Sequence, residues 1–235
     1  MIIKRFIIKK RDLIITVFLL SVNFSFSQLY ESGISYGKSN FIGDVGNTTF
    51  VNPKDDAYGI IFKWNRSPRH SYRFSYFKSK LSANDLESKD PRRIERAYNF
   101  DTPVNEFSLG MEFNFFDFDL HDKNTLFSPY IFTGIVYTSI QEQFLMNNQI
   151  QSLNESKSFF GVPMLVGFKN RIYNNIILFI EIGARYTFTD GIDGNYNIEN
   201  DYNFGNLNNN DWYMFSNFGL TYTFGKNPCY CNIGK

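Results

Sequence analysis

Chemistry near neutral pH usually needs a histidine, a thiol or a set of metal-ligating oxygens, so those residues come first. The chain holds two histidines and two cysteines. His70 and His121 both fall in segments that read as short turns. Their position favours imidazoles that face water over a general base aimed at a substrate. No nucleophile elbow, phosphate-binding loop or dinucleotide fingerprint accompanies them. Cys229-Tyr230-Cys231 lies close to the C-terminus. Two thiols one residue apart could close a strained small ring in an oxidising compartment or touch a partner. As metal ligands they are too few for a zinc site. The acidic run from Asp193 to Asp201 offers oxygen ligands, but an EF-hand needs Gly sixth and Glu twelfth. Ile198 and Phe204 stand there instead, so the run reads as a solvated loop. No catalytic, cofactor-binding or metal residue is expected. The turn Asn65-Arg66-Ser67-Pro68-Arg69-His70 remains. It is short and basic, and its Pro stops a strand. It reads either as a plain hairpin or as a docking knob that uses Asn65, Arg66, Pro68, Arg69 and His70.

These residues must be held by strands rather than helices. Aromatic residues make up 19% of the chain, mostly Phe and Tyr, a composition suited to strands and to a membrane–water boundary. The net charge is +1 without a basic stripe, which argues against nucleic acid as a partner. Residues 1–27 read as an address: a basic MIIKRFIIKKRD, an apolar LIITVFLLSVNFSF, then small Ser25 and Ser27 before a cut ahead of Gln28. The competing reading, an uncleaved membrane helix, has an apolar run short of the ~20 residues that a span needs. No later segment reads as a membrane-spanning helix. An exported chain would then have to cross a membrane as a closed barrel.

The rest of the chain repeats one pattern, in which apolar and polar residues alternate until turn residues intervene. In 105–115, Phe107, Leu109, Met111, Phe113 and Phe115 share one face; Glu106, Ser108, Gly110, Glu112 and Asn114 share the other. Period two separates such sets on a strand and scatters them on a helix. Segments 57–65, 71–79, 158–170, 176–189 and 212–224 behave alike, and 29–38 and 128–138 are weaker members, giving eight strands. Odd-numbered connections are long and polar, even-numbered ones short, as in outer-membrane barrels with periplasmic termini. Lys63, Arg73, Glu106, Glu112, Lys169, Glu181 and Arg185 fall on the less apolar face. A soluble barrel would bury the apolar face, whereas lipid accepts it outside, with the charges paired inside. The expectation is an all-β, eight-stranded antiparallel up-and-down transmembrane barrel over 28–225, with long extracellular loops, short periplasmic turns and a periplasmic tail at 226–235. Such a barrel is filled by side chains and leaves no open channel.

Asn217-Phe218-Gly219-Leu220-Thr221-Tyr222-Thr223-Phe224 fits polar-x-Gly-x-x-aromatic-x-aromatic. It resembles the terminal-strand signal read by the barrel assembly machinery, carried by Asn217, Gly219, Tyr222 and Phe224, although about ten residues follow it here. The segments FKWNRSPRHSYRFSY, EFSLGMEFNFFDF, SPYIFTGIVY, GARYTFTDGIDG and FGNLNNNDWYMFSNFGLTYTFGKNPCYCN together resemble the PorG-type barrels of the Bacteroidetes type IX secretion system. The resemblance implies a non-enzymatic outer-membrane protein of a secretion or gliding apparatus. Its partners would be membrane lipid, the assembly machinery, and a periplasmic ring lipoprotein with that lipoprotein's own partner. The ring would meet turns 65–70 and 116–127 and the tail that carries Cys229 and Cys231. The competing function is a small surface-recognition or adhesion barrel acting through loops 80–104 and 190–211.

Overall fold

The computed structural model describes residues 29–120, 127–146, 149–194 and 210–225. Eight strands follow in chain order: β1 (Leu29–Ile42), β2 (Asp55–Asn65), β3 (His70–Asn84), β4 (Asn99–Asn114), β5 (Phe127–Met146), β6 (Gln149–Tyr173), β7 (Ile176–Thr187) and β8 (Trp212–Phe224). Each pairs antiparallel with its sequence neighbours, and β1 pairs with both β2 and β8, so the sheet closes on itself. The β1–β8 seam runs from Tyr30 opposite Phe224 to Ile42 opposite Trp212. A short 3-10 turn, Asp85–Glu87, and helix α1 (Pro91–Arg96) lie between β3 and β4. Asp90 caps α1 by accepting from the Arg92 amide, and Pro91 opens it, both ordinary helix-start devices.

Alternation along the strands sorts the side chains as the sequence reading expects. Outward positions carry Ile34, Leu109, Ile135 and Ile180, all more than 60% exposed. Inward positions carry Glu31, Lys63, Arg73, Glu106, Glu112, Lys169, Glu181 and Arg185, all 2% exposed or less. In water, each large apolar side chain left outside would forgo roughly 1.5–3 kcal/mol of burial. Hydrocarbon removes that cost, and a closed barrel leaves no unpaired strand edge within it. The protein is an eight-stranded barrel of the bacterial outer membrane. Residues 29 and 225 both lie at the short-turn end, which is the periplasmic end in this architecture.

Strand lengths depart from the sequence reading. About 9–11 residues cross a membrane as a tilted strand, whereas β5 has 20 and β6 has 25. Residues 139–146 and 149–157, expected within a polar loop, continue β5 and β6 as paired strands, with a register shift between Gln141 and Gln143. Likewise β3 reaches Asn84 and β4 starts at Asn99, so the loop expected over 80–104 is limited to 85–98. Beyond the membrane the sense of the alternation reverses: Leu81, Ala83, Phe100, Val104 and Ile140 turn inward while Lys80, Asn99 and Asp101 face water, so no outward apolar column marks the extensions.

The interior has two layers. Toward the short-turn end, charged and hydroxyl side chains fill the lumen. Toward the long-loop end, Phe41, Val45, Phe77, Leu81, Phe100, Val104, Ile140, Phe159, Ile192 and Phe215 form an apolar cluster. Inward glycines make room for inward rings. A Cβ on Gly59 would sit 2.4 Å from Phe77, and one on Gly167 would sit 2.5 Å from Tyr130.

Candidate functional site

Four buried bases and four buried carboxylates form the ladder that fills the lower lumen and continues up to Glu106 and Arg185. Glu112 on β4 lies 2.7 Å from Lys63 on β2 and 2.9 Å from Lys169 on β6. Arg73 on β3 reaches across to Glu181 on β7 with two guanidinium nitrogens, at 2.7 and 2.8 Å. Tyr130 donates to the same carboxylate at 2.8 Å. Glu31 accepts from Asn65 and Thr221, both at 3.0 Å. Higher up, Arg185 pairs with Glu106, which also accepts from Tyr213 at 2.6 Å. The Arg73 and Arg185 guanidiniums stack over Phe132 and Phe215, at 4.9 and 4.5 Å. A buried charge is tolerated only when it is paired and its remaining donors and acceptors are used. This ladder meets the pairing condition by neutralising itself, although the Arg73 Nε finds no hydrogen-bond partner among the described residues, and its acids and bases are engaged with one another.

Both mouths are covered. At the short-turn end, Phe118 is buried, with the Lys169 ammonium 4.8 Å and the Arg171 guanidinium 5.5 Å from its ring centre. Its backbone is held because its N–H donates to the Pro68 carbonyl, which also accepts from the Asn114 side chain. An Arg69–Asp117 ion pair adds a second tie between turn 66–69 and segment 115–119. Arg66, Arg69 and His70 are exposed on this face, as are Phe115 and Phe116.

At the long-loop end, three loops lock together over the apolar cluster. Asp85 is buried, accepts from the Gly46 and Tyr98 amides, and pairs with Arg96 at 2.7 Å. Arg96 and Arg93 of α1 reach the β1–β2 loop at the carbonyls of Asp44, Gly43 and Gly46. Asp193 accepts from the Asp44 amide and Asp211 from the Ile192 amide. Burial and the neighbouring Asp193 charge push the Asp211 carboxyl well above the usual carboxylate range. Beside this lid, β3, β4 and the β5–β6 hairpin enclose an open polar cleft of about 340 Å³. Lys54, Lys80, Asp101, Gln143 and Ser152 are among its lining residues.

The model of the family described as a domain of unknown function, DUF6089, matches residues 10–233. The chain belongs to that family. No curated protein matches it. Among solved structures, the DUF6089 chain is similar to three small bacterial barrels. One is Ail, the attachment invasion locus protein of Yersinia pestis: 13% identity, TM-score 0.46, covering 84% of this chain and 99% of that one. The second is the N-terminal barrel domain of Pseudomonas aeruginosa OprF: 11% identity, TM-score 0.47, covering 84% and 98%. The third is Neisserial surface protein A: 12% identity, TM-score 0.47, covering 84% and 97%.

In the DUF6089 barrel the expected docking residues separate. Arg66, Pro68 and Arg69 form the turn, and His70 opens β3 beside it, its ring 5.2 Å from that of Phe113. Asn65 departs from the expectation. It is the last residue of β2 and points into the lumen, bonded to Glu31 and Ser71. Strand parity decides this, because Asn65 shares its face with Lys63. Of the assembly-signal residues, Asn217 and Gly219 face inward and Tyr222 and Phe224 outward, with Phe224 5.9 Å from Tyr30 across the seam. Cys229, Cys231, His121, the signal segment and most of the Asp193–Asp201 run lie outside the described residues. Among those described, no group of three His, Cys, Asp or Glu side chains could hold a metal ion.

Sequence reasoning missed Glu31, Phe118 and the Asp85–Arg96 lid. Glu31 sat in a weak segment, where its parity with Ser35 and Ser39 was the available signal. Phe118 and Asp85 lie outside the alternating segments, and nothing in their local pattern distinguishes a plug from a solvated loop residue.

Proposed function

We propose that this protein is a non-enzymatic anchor, a barrel that holds a periplasmic assembly to the outer membrane at its short-turn end. The observation that carries this reading is the preformed face at that end. Pro68, Asn114, Arg69 and Asp117 tie two turns into one surface, and Arg66, His70, Phe115 and Phe116 project from it. A surface of this kind loses little conformational freedom on docking. The self-neutralised interior and covered mouths support a structural role over catalysis or transport. The likeness to PorG-type barrels makes the partner a type IX periplasmic ring lipoprotein and its companion, with membrane lipid and the assembly machinery as general partners and no nucleic acid.

A second reading, surface recognition, draws on the β5–β6 hairpin and the polar cleft beside it. Cross-linking in intact outer membranes, followed by mass spectrometry, separates the two. Ring proteins linked through residues 65–70 or 115–120 are the expected result. Links confined to extracellular material through 80–104 or 141–156 would sink the anchor reading in favour of recognition.

A further inference from the structure

Outward columns on the wall formed by β1, β2 and β3 change character at one register row. On β1 the column reads Tyr30, Ser32, Ile34, Tyr36, Lys38; on β3 it reads Tyr72, Phe74, Tyr76, Lys78, Lys80; on β2, between them, Trp64, Phe62, Ile60, Tyr58, Asp56. Tyr36 pairs with Tyr58 and Tyr58 with Lys78 across the strands, so tyrosines and an ammonium share one row; Lys38 and Asp56 share the next. The row lies toward the long-loop end, above the apolar band. Tyrosine at such a boundary marks the level of lipid headgroups.

The opposite wall is built differently. There the outward columns end in Tyr137, Ser139 and Gln141 on β5 and in Phe160, Ser158 and Ser156 on β6, without a charge. Among the described outward strand positions at this boundary, lysines occur on β1 and β3. Two have acidic partners: Lys38 with Asp56 at 3.2 Å and Lys80 with Asp101 at 2.9 Å. Lys78 has no acidic partner within ion-pair distance among the described residues, and it is exposed.

Below Lys78 the wall is hollowed. A lipid-facing groove of about 560 Å³ is lined by Ile34, Tyr36, Tyr58, Ile60, Tyr76 and Lys78, and continues onto Leu178, Phe218 and Leu220. Its walls are mostly apolar and its rim carries the Lys78 ammonium. Its size suits part of an acyl chain rather than a water-soluble molecule. The occupant that matches both features has an acyl chain and a phosphate at headgroup level. At the extracellular end of an outer-membrane barrel, that lipid is the lipid A of the outer leaflet.

We propose that the β1–β3 wall is a binding site for lipid A, with one acyl chain in the groove and a phosphate on Lys78, flanked by Lys38. A phosphate oxygen accepts from an ammonium as a charge-assisted hydrogen bond. Tyr58, beside Lys78 in the same row, offers a hydroxyl at that level. The site is independent of whatever docks at the periplasmic end.

The test uses the full-length barrel in detergent, with native mass spectrometry reading retained lipid. Three probes compete: diphosphoryl lipid A, the same lipid with its phosphates removed, and phosphatidylglycerol. The wild-type barrel is expected to retain diphosphoryl lipid A over both others. Lys78→Gln is expected to lower that retention about fivefold, the scale of one partly exposed ion pair, and Lys78→Arg to restore it. Lys78 faces outward, so unchanged heat-modified gel mobility will show that each variant is folded. Equal retention of the dephosphorylated lipid, preference for phosphatidylglycerol, or a folded Lys78→Gln barrel that binds as wild type would each overturn the site.

Discussion

At the residue scale, Glu112 faces three bases in the lower lumen. It lies between Lys63 and Lys169, with Arg73 at 3.8 Å, and is fully buried. Removing one member of a buried ion network leaves the others charged without a partner, at a cost of about 3–5 kcal/mol. Glu112→Ala is therefore expected to lower the urea midpoint of the refolded barrel by an amount of that order. Glu112→Ala combined with Lys169→Met should be milder than the single change, because one uncompensated base goes with the acid. Urea titration followed by tryptophan fluorescence or gel mobility measures both. Equal losses for the single and double variants would mean that packing, not charge pairing, sets the value of Glu112. Seven of the ladder's eight members were legible from parity, since residues such as Glu106, Glu112 and Lys63 alternate with apolar neighbours, while Glu31 lay in a weaker segment. Which acid meets which base was not, because partners such as Arg73 and Glu181 are 108 positions apart and meet only when the barrel closes.

At the element scale, β8 decides closure. Its terminal pattern was visible in the sequence, but its residues do different physical work. Gly219 lies against β1, where an added Cβ would fall 2.3 Å from the Ile34 carbonyl oxygen and 2.5 Å from Phe179. Asn217 is buried, yet neither polar atom of its side chain finds a hydrogen-bond partner among the described residues. Gly219→Ala is expected to destabilise the barrel by about 1–3 kcal/mol through overpacking at the seam. Asn217→Ala should cost about 1 kcal/mol or less, since it removes an unsatisfied polar group along with its packing. Unfolding midpoints of the two purified variants compare these directly. If Asn217→Ala folds stably in vitro yet assembles poorly in cells, its role lies in recognition by the assembly machinery. A loss of stability that matches Gly219→Ala would make Asn217 a packing residue.

At the scale of the whole molecule, the barrel is closed twice. Phe118 covers the periplasmic mouth, and the loops around Val45, Tyr98 and Ile192 cover the extracellular one. Planar-bilayer recordings are expected to show no steady conductance steps for the wild-type chain. Phe118→Ala should stay silent as well, because the apolar cluster at the other end remains. Stepwise conductance in that variant would mean that the extracellular lid opens readily. The same double closure separates the two ends, so a partner below and a lipid or ligand above can act without coupling through the lumen.

Alternation of side chains was enough to reveal the strands, the inward charges and the outer-membrane character, because period two is a local property and lipid reverses the usual sense of burial. Loop lengths were enough to sort the barrel's two ends, one with short turns and one with long loops. The extension of β5 and β6 beyond the membrane was hidden, since its outward positions turn polar and its core contacts, Ile140, Leu145 and Ile150, are split by a register shift that breaks the period of two. Asn65 was assigned to a turn when parity already placed it with Lys63, and only the closed sheet showed it bonded to Glu31. The plug, the lid and the basic rim above the lipid-facing groove depend on residues brought together from different strands and loops. Their juxtaposition follows from how eight strands close, a long-range geometry that no local pattern in the chain records.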